Sequence, residues 1–260
     1  MSQKCHSSIL LDKRGKSLAQ VATLSYDFQN GHVIPEHSHP EDQLVFASSG
    51  VMTVYTRQGI WVVPPLRAVW IPAGTPHSVA MSGAVSMRTL YLAPKLVRGL
   101  PVRCFVMNVS TLLKELVLHA CNFPRLNRRV PGEKRIIEIL VDQLAAASSI
   151  PLQLPQPTDR RAVRIARALL EDPALEKTLD RHCRDCGASK RTIQRLFIAE
   201  TGMSFVKWRQ QLRLLHAVQL LAAGEKVIGA AMDAGYSSTS AFISMFRKQL
   251  GTTPSRYFKN

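Results

Sequence analysis

Two stretches of one pattern decide the fold of the C-terminal third: SKRTIQRLFIAETGMS at residues 189–204 and STSAFISMFRKQLGTT at residues 238–253. With an offset of 49 residues, the shared positions are Ser189 and Ser238, Ile193 and Phe242, Phe197 and Phe246, and Gly202 and Gly251. Each copy gives a helix start signal, two apolar residues four apart and a glycine at the helix end. A short helical pattern ending near a glycine precedes each copy. Both copies are therefore predicted to be helix-turn-helix units.

A longer helix is predicted between the two units, over Met203–Ala223, with Ser204 as its N-cap and Gly224 beyond its end. About 20 residues at ~1.5 Å each span ~30 Å. Successive major grooves on one face of DNA lie ~34 Å apart. A rigid helix of this length would hold two DNA-reading heads one turn apart.

The charge of the chain favours a polyanionic partner. The chain has 34 Lys and Arg residues against 18 Asp and Glu residues, a formal charge of +16. From Asp159 onward there are 18 basic and 9 acidic residues, so positive charge is denser in this smaller part. No apolar run approaches the roughly 18 residues that a membrane span needs. We therefore expect double-stranded DNA, and no membrane, as the partner.

The first predicted recognition helix presents Arg191, Gln194 and Arg195 opposite its apolar side. Arg pairs with guanine O6 and N7 in the major groove, and Gln can pair with adenine N6 and N7. On an isolated helix, such side chains would more simply be solvated or bind phosphate. Between two glycine turns in a basic domain, base contact is the favoured interpretation.

Residues 159–259 resemble the AraC/XylS family of bacterial transcriptional regulators. The matching residues are Ser189, Gln194-Arg195-x-Phe197, Glu200-Thr-Gly202-Met-Ser204, Arg213-Leu214, Ala217, Leu220-Leu221, Gly235-Tyr236, Phe242, Phe246-Arg247, Gly251-x-x-Pro254 and Tyr257. The resemblance implies a ligand-responsive, sequence-specific regulator that places two heads in successive major grooves of an operator. It also carries base reading in the first head onto Arg191, Gln194 and Arg195.

The same carry-over makes the second head different from the first. The facing positions of its recognition helix are Thr239, Ser240, Ala241 and Ser244. None of these is Arg, Gln or Asn, so the second head is predicted to bind phosphate and DNA shape more than base identity. Further phosphate contacts are predicted for Lys190, Lys207, Arg209, Arg247 and Lys248.

The region from Val21 to Leu92 has a β-like pattern that predicts a small antiparallel barrel or sandwich. Short apolar runs are separated by the predicted turns Gly50, Gly59, Pro64-Pro65 and Ala73-Gly74. Before it, Met1–Ala19 is expected to be a flexible arm or an edge strand.

Three histidines are grouped in this region. His37 and His39 stand two apart, so on a strand their side chains share one face. The full pattern is Gly31, His37, His39, Gln43 and Gly50, followed by Pro72, Gly74 and His77. It resembles the two motifs of the cupin family, with Gln43 in place of the family's glutamate. The resemblance implies a divalent metal held by the three histidines.

Three imidazoles can hold Zn, Fe or Mn, and Gln43 can add a neutral oxygen, although the missing carboxylate weakens such a site. Alternatively, these residues line a small-molecule pocket or form hydrogen bonds inside the barrel. The candidate effector-binding residues are therefore His37, His39, Gln43 and His77, and the candidate metal ligands are His37, His39 and His77. Glu41 and Asp42, beside the motif, are expected to be solvated.

The predicted architecture is multidomain α+β. Residues 1–109 form a cupin-like effector-binding domain, 110–147 a helical hairpin, 148–158 a proline-rich linker and 159–260 an all-α domain with two helix-turn-helix motifs. In the AraC/XylS family this hairpin position mediates dimerisation, so a dimer contact is expected in preference to internal packing. A homodimer follows, and RNA polymerase is a further expected partner of an activator.

Cys183-x-x-Cys186 beside His182 resembles a zinc or redox motif. A single pair without a second ligand pair favours buried core thiols instead. Five cysteines without disulfide-framework spacing indicate a reducing cytoplasm. Two other functions stay open: a cupin-type metalloenzyme with an accessory DNA-binding domain, and a non-specific architectural DNA binder. Catalysis is less expected because no separate acid, base or nucleophile is evident near the histidines.

Overall fold

In the computed structural model, the described residues are 8–11, 19–150 and 152–258. The strands are β1 (Val21–Phe28), β2 (Val33–His37), β3 (Asp42–Tyr55), β4 (Gly59–Val63), β5 (Arg67–Ile71), β6 (His77–Leu92), β7 (Phe105–Asn108), β8 (Arg125–Leu126), β9 (Ser149–Ile150) and β10 (Gln153–Pro155). The helices are α1 (Thr111–Ala120), α2 (Pro131–Ala145), α3 (Arg160–Glu171), α4 (Leu179–Cys186), α5 (Lys190–Thr201), α6 (Phe205–Ala222), α7 (Val227–Asp233), α8 (Thr239–Leu250) and α9 (Pro254–Tyr257). The expected N-terminal arm lies largely outside the described residues.

The N-terminal strands form an antiparallel sheet in the order β8-β1-β6-β3-β5-β7-β9. Strand β2 pairs with His77, Val79 and Ala80 of β6, before the residues of β6 that pair with β1. The two long strands are β3 and β6, whose register runs from Asp42 opposite Leu92 to Tyr55 opposite Ser78. Leu44, Phe46 and Leu90 are fully buried in this sheet. The predicted antiparallel β domain is confirmed.

One predicted turn is wrong, because Gly50 lies inside β3. The register between β3 and β6 shifts twice between Ala47 and Val51, so the strand is bulged at this point. Gly50 has φ +70, and a Cβ atom placed on it would lie 2.6 Å from the Ala84 carbonyl oxygen. Both the backbone angle and the close approach require glycine. The glycine therefore bends one continuous strand and does not separate two strands.

The hairpin of α1 and α2 packs on the sheet of its own domain. Its buried residues in that core are Leu113, Val117, Ala120, Ile137, Leu140 and Leu144. These residues do not form the expected dimer contact, because they pack inside their own domain. Leu112 and Ile139 stay 52% and 43% exposed on the same hairpin.

The 49-residue repeat is present in the structure as two recognition helices, α5 and α8, with matching caps and ends. Ile193, Phe197, Phe242 and Phe246 are all fully buried. Ser189 accepts a hydrogen bond from the backbone N–H of Thr192 at 3.1 Å, and Ser238 accepts one from that of Ala241 at 3.2 Å. Both recognition helices end at a left-handed glycine, Gly202 with φ 70 and Gly251 with φ 79. Each copy therefore has the predicted cap, core pair and helix end.

The helix between the heads begins after its predicted N-cap, since Ser204 accepts from the backbone N–H of Lys207 at 3.4 Å. It has 18 residues, which corresponds to a length of ~27 Å. Its own residues Phe205, Trp208 and Leu215 are buried. The helix is thus the core of the C-terminal unit.

The starts of α3 and α4 are explained by local contacts. The N-cap of α3 is Asp159, because the Asp159 carboxylate accepts from the backbone N–H of Arg161 at 2.9 Å. Helix α4 begins only at Leu179. The residues before it form a turn in which the Asp172 carbonyl accepts from the N–H of Leu175 at 3.1 Å. An Asp-Pro sequence favours such a turn over a helix.

The proline-rich segment contains the short strands β9 and β10. Trp208 donates its indole N–H to the Pro155 carbonyl at 2.7 Å, and Gln211 donates to the Gln153 carbonyl at 3.3 Å. The chain divides here into two compact units, residues 1–56 with 61–152 and residues 57–60 with 153–260. Among the helices of the described residues, none is long and apolar enough to cross a membrane.

Candidate functional sites

The sheet brings the three candidate histidines together. His37 ends β2 and lies opposite His77, the first residue of β6, and His39 lies just before β3. Their candidate ligand nitrogens all lie within 4.8 Å of one another. The ring centroid of His77 is 4.3 Å from that of His37 and 5.2 Å from that of His39. The structure therefore forms the cluster that the spacing predicts.

Backbone carbonyls set the protonation of all three rings. The Nδ1 atoms of His37, His39 and His77 lie 2.8, 2.9 and 2.8 Å from the carbonyl oxygens of Pro35, Glu41 and Thr75. A carbonyl oxygen can only accept, so each Nδ1 carries a proton, and in the neutral form of each ring Nε2 keeps its lone pair. A hydrogen bond of this kind on the outer nitrogen is what orients histidine ligands in metal sites.

Gln43 turns its amide oxygen toward the cluster. The hydroxyl of Thr89 donates to the Leu44 carbonyl at 3.0 Å, so it can only accept from Nε2 of Gln43, also at 3.0 Å. Oε1 of Gln43 consequently faces Nε2 of His39 at 3.1 Å. With the proton of His39 on Nδ1, both facing atoms are acceptors. A cation bound by both atoms would remove this conflict, because imidazole nitrogen and amide oxygen are both metal ligands.

Burial keeps the inner rings neutral. Burial lowers the pKa of His77 to about 4, and burial is also the largest cause of the lowered pKa of His39. His77 is fully buried, and its Nε2 has no hydrogen-bond partner in the described part of the chain. Leaving such an acceptor without a partner costs free energy. The donor set therefore fits a divalent metal.

The two carboxylates beside the motif are not simply solvated, contrary to expectation. Glu41 is only 1% exposed and accepts from the hydroxyl of Ser8. Asp42 accepts from the backbone N–H of Ala73 at 2.9 Å and from that of Lys95 at 3.2 Å. The three partners lie more than 30 residues away along the chain. No local pattern could have indicated these contacts.

A cleft with a volume of about 670 Å³ lies in the same unit and is lined in part by Asp42 and Ala73. Trp70 and Val97 form part of its apolar wall, and Lys95 and Arg98 border it. Gly74, beside the cleft, donates its N–H to the His39 carbonyl at 2.8 Å. Small-molecule sites have volumes of about 300–1,000 Å³, so the cleft is large enough for a ligand.

Helix α5 exposes the side chains that the sequence assigns to base reading. Arg191, Gln194 and Arg195 are exposed, opposite the buried side of the helix. Lys190 forms an exposed ion pair with Asp180 at 3.2 Å. Such pairs contribute little to stability, so this ion pair would not prevent Lys190 from binding another anion.

The same face of α5 carries an exposed apolar residue that the sequence pattern did not indicate. Ile198 is 56% exposed and lies four residues after Gln194 and three after Arg195. On a helix this spacing places it on the same side, where an apolar side chain can contact a thymine methyl group. Continuing the helical spacing of Gln194 and Arg195 by one more turn would have indicated Ile198.

The second recognition helix presents a different surface at the same positions. Shifted by 49 residues, the reading face of α5 becomes Ser240, Ile243, Ser244 and Arg247 in α8. Ser240, Ser244, Arg247 and Lys248 are exposed, whereas Thr239 is half-buried. The two heads therefore share a fold and differ in the chemistry of their exposed side chains.

The structure corrects the predicted phosphate contact of Arg209, because this side chain binds backbone carbonyls of the protein itself. Its guanidinium donates to the carbonyl of Lys177 at 3.2 Å and to that of Leu175. Burial lowers the pKa of Arg209, and the side chain binds a loop of the same unit. A helical pattern alone could not show which side of α6 faces this loop.

The pair Cys183 and Cys186 has the features of core thiols. Cys183 is buried, and burial raises the pKa of its thiol. Cys186 donates its thiol to the Cys183 carbonyl at 3.5 Å. Within the described residues, the groups that could hold a metal ion do not include this pair.

Two family models match the chain. The model of an AraC-like ligand binding domain matches residues 20–206, and a helix-turn-helix domain matches residues 182–260. The chain is also 36% identical over 223 residues to the HTH-type transcriptional regulator NimR of Escherichia coli, covering 86% of this chain and 81% of NimR. The chain belongs to the AraC/XylS family. This AraC-family protein is thus a transcriptional regulator that joins a ligand-binding domain to a helix-turn-helix domain.

Other relatives match over shorter or more divergent regions. RipA of Corynebacterium glutamicum is 36% identical over 103 residues, which cover 40% of this AraC-family protein and 31% of RipA. The virulence regulon transcriptional activator VirF of Yersinia enterocolitica is 27% identical over 218 residues, with 78% of each chain covered. The fatty-acid-bound structure of ToxT from Vibrio cholerae is 13% identical and covers 92% of this chain and 94% of ToxT. The TM-score of this match is 0.39.

Proposed function

We propose that this AraC-family protein senses a small molecule at the histidine cluster, with a divalent metal held by His37, His39 and His77. The observation that supports this site is the grouping of three imidazoles whose Nδ1 atoms are each bound to a backbone carbonyl, together with the acceptor conflict between His39 and Gln43. A bound metal would offer a coordination position to an oxygen or nitrogen donor of the effector. The effector must bind one conformation of the protein better than another to alter DNA binding.

The two heads have separate roles in this proposal. Arg191, Gln194 and Arg195 read base edges, since their side chains are exposed on the face opposite the buried side of α5. The second head holds the DNA backbone through hydroxyls and cations. The phosphate-binding residues are Lys190, Thr239, Ser240, Ser244 and Arg247. Specificity then comes from one head, and the other head adds affinity and shape recognition.

The repeat supplies a matched pair of variants for the test, because Arg195 and Ser244 occupy equivalent positions. The probe is the DNA duplex that the wild-type protein selects from a random pool. Arg195→Ala should weaken binding to this duplex by about 10- to 100-fold, as expected for loss of one bidentate base contact. Binding to an unrelated duplex should change little. Ser244→Ala should have a smaller effect that is similar on both duplexes, and a larger specific loss for Ser244→Ala would contradict the assignment.

The same proposal makes the protein a cytoplasmic homodimer that is not an enzyme. Leu112 and Ile139, exposed on the hairpin, are the proposed dimer contact. RNA polymerase is a partner where the protein activates transcription. Equal affinity for selected and unrelated DNA would favour an architectural DNA binder instead, and turnover of a small molecule by the metal-loaded chain would favour an enzyme.

A further inference from the structure

Two arginines on α6 hold the loop that connects α3 and α4. Arg209 and Arg213 stand four residues apart, so they share one side of the helix. Arg209 donates to the carbonyls of Leu175 and Lys177, and Nε of Arg213 donates to the Pro173 carbonyl at 3.1 Å. The loop is part of the first head, which comprises Arg160–Thr201. The first head is therefore joined to α6 by the Gly202–Ser204 turn and also bound to it by these hydrogen bonds.

Arg213 also lies against the second head, defined here as Val227–Leu250. A Cβ atom placed on Gly235 would lie 2.7 Å from Nη2 of Arg213 and 2.8 Å from Cα of Ala174. Gly235 has φ +79 and lies in the turn between α7 and α8. The loop of the first head and the turn of the second therefore approach each other directly, with the Arg213 guanidinium beside both. A residue with a side chain at position 235 would push them apart.

We propose that Arg213 and Gly235 form a joint that sets the spacing and orientation of the two heads. The joint makes the protein select operators by the number of base pairs between the two contacted segments. This inference rests on the proposed two-headed DNA binding and assigns Arg213 a positioning role without contact to DNA. The α6 helix sets the distance between the heads, and the joint limits their rotation about its two ends.

The geometry of DNA explains why rotation matters. One added base pair moves the second segment by ~3.4 Å along the axis and rotates it by roughly a tenth of a turn, since a turn has 10–10.5 base pairs. A rigid pair of heads cannot follow this displacement without losing contacts. Heads that rotate freely can follow it. Tolerance of altered spacing therefore measures the joint directly, whereas a general loss of folding would lower binding at every spacing.

The test measures the affinity of the full chain for the selected duplex and for versions with one base pair inserted or deleted between the contacted segments. Wild-type protein should lose about tenfold affinity at either altered spacing, as expected when the second head no longer meets the DNA segment whose shape it recognises. Arg213→Ala and Gly235→Ala should bind the original duplex more weakly and lose much less at the altered spacings. Arg213→Lys keeps the charge but lacks the guanidinium fork, so it should show an intermediate profile.

Matched controls exist on both sides of the joint. Arg167→Ala removes an exposed arginine of the first head that pairs only with Glu171 among the described residues. Gly229→Ala adds a Cβ inside α7 that would meet only the Glu225 carboxylate, at 3.5 Å. Both should keep the wild-type spacing profile. If the Arg213 and Gly235 variants also keep that profile, at any overall affinity, the joint does not set the spacing. If wild-type protein selects no sequence at all, it is the proposed function that fails.

Discussion

Gln43 is the residue at which this histidine cluster departs from the cupin pattern. Its oxygen lies 3.1 Å from Nε2 of His39, and Thr89 on the other side holds the amide in that orientation. A neutral amide oxygen is a weaker metal ligand than a carboxylate, so a metal bound here is held less tightly and exchanges more readily. Such a site suits reversible sensing more than it suits a permanent cofactor.

The first prediction concerns Gln43→Glu. Position 43 is only 4% exposed, so a carboxylate there without a metal should destabilise the fold. A divalent metal should then bind more tightly and raise Tm by more than it does in the wild-type protein, because ligand binding stabilises the folded state. Thermal melts with and without added Zn²⁺ or Mn²⁺ measure both effects.

His77→Ala should abolish the metal-dependent rise in Tm. Gln29→Glu introduces the same charge at an exposed position and should respond to metal as the wild-type protein does. An equal response of Gln43→Glu and Gln29→Glu would remove Gln43 from the ligand set.

At the scale of elements, local signals predicted the recognition helices well. Ser189 and Ser238 cap helices where a hydroxyl precedes an apolar period, and Gly202 and Gly251 end them. These are short-range effects between residues within one or two turns. The misses depend on partners that are distant in sequence. Gly50 packs against β6, and Arg209 binds the loop before α4. Neither partner can be identified from the neighbouring residues.

The bulge in β3 gives the second prediction. Gly50→Ala and Gly31→Ala both place a side chain on left-handed backbone, with φ +70 and φ +80, at a cost of about 1 kcal/mol each. Only at Gly50 would the new Cβ also meet backbone atoms, with the Ala84 oxygen at 2.6 Å, whereas nothing lies within 4 Å at Gly31. Gly50→Ala should therefore lower Tm clearly more than Gly31→Ala in calorimetry. Equal shifts would mean that β6 moves away without loss.

At the scale of the whole molecule, the formal charge of +16 makes binding to DNA depend strongly on salt. Each neutralised phosphate releases counterions and contributes about −0.9 to the slope of log affinity against log salt. The charge is spread over both parts of the chain, but the proposed phosphate contacts all lie in the C-terminal unit.

The third prediction uses this slope to count contacts. Arg247→Gln should make the slope shallower by about 1 and weaken binding similarly on all sequences, as expected for one lost phosphate contact. The measurement is a titration of affinity against salt on the selected duplex and on an unrelated one. Arg167→Gln also removes one positive charge, but from an exposed ion pair with Glu171, and should leave the slope unchanged. A slope that is unaffected by Arg247→Gln would place that side chain away from the DNA.

The difference between the two recognition helices has a consequence for the genome that this protein reads. An operator contacted by Arg191, Gln194 and Arg195 at one end and by hydroxyls at the other has a direction along the double helix. In a set of natural sites, one half should be strongly conserved and the other degenerate. Reversing a site relative to its promoter would then turn the bound protein around and present a different surface to whatever is assembled at the start of transcription.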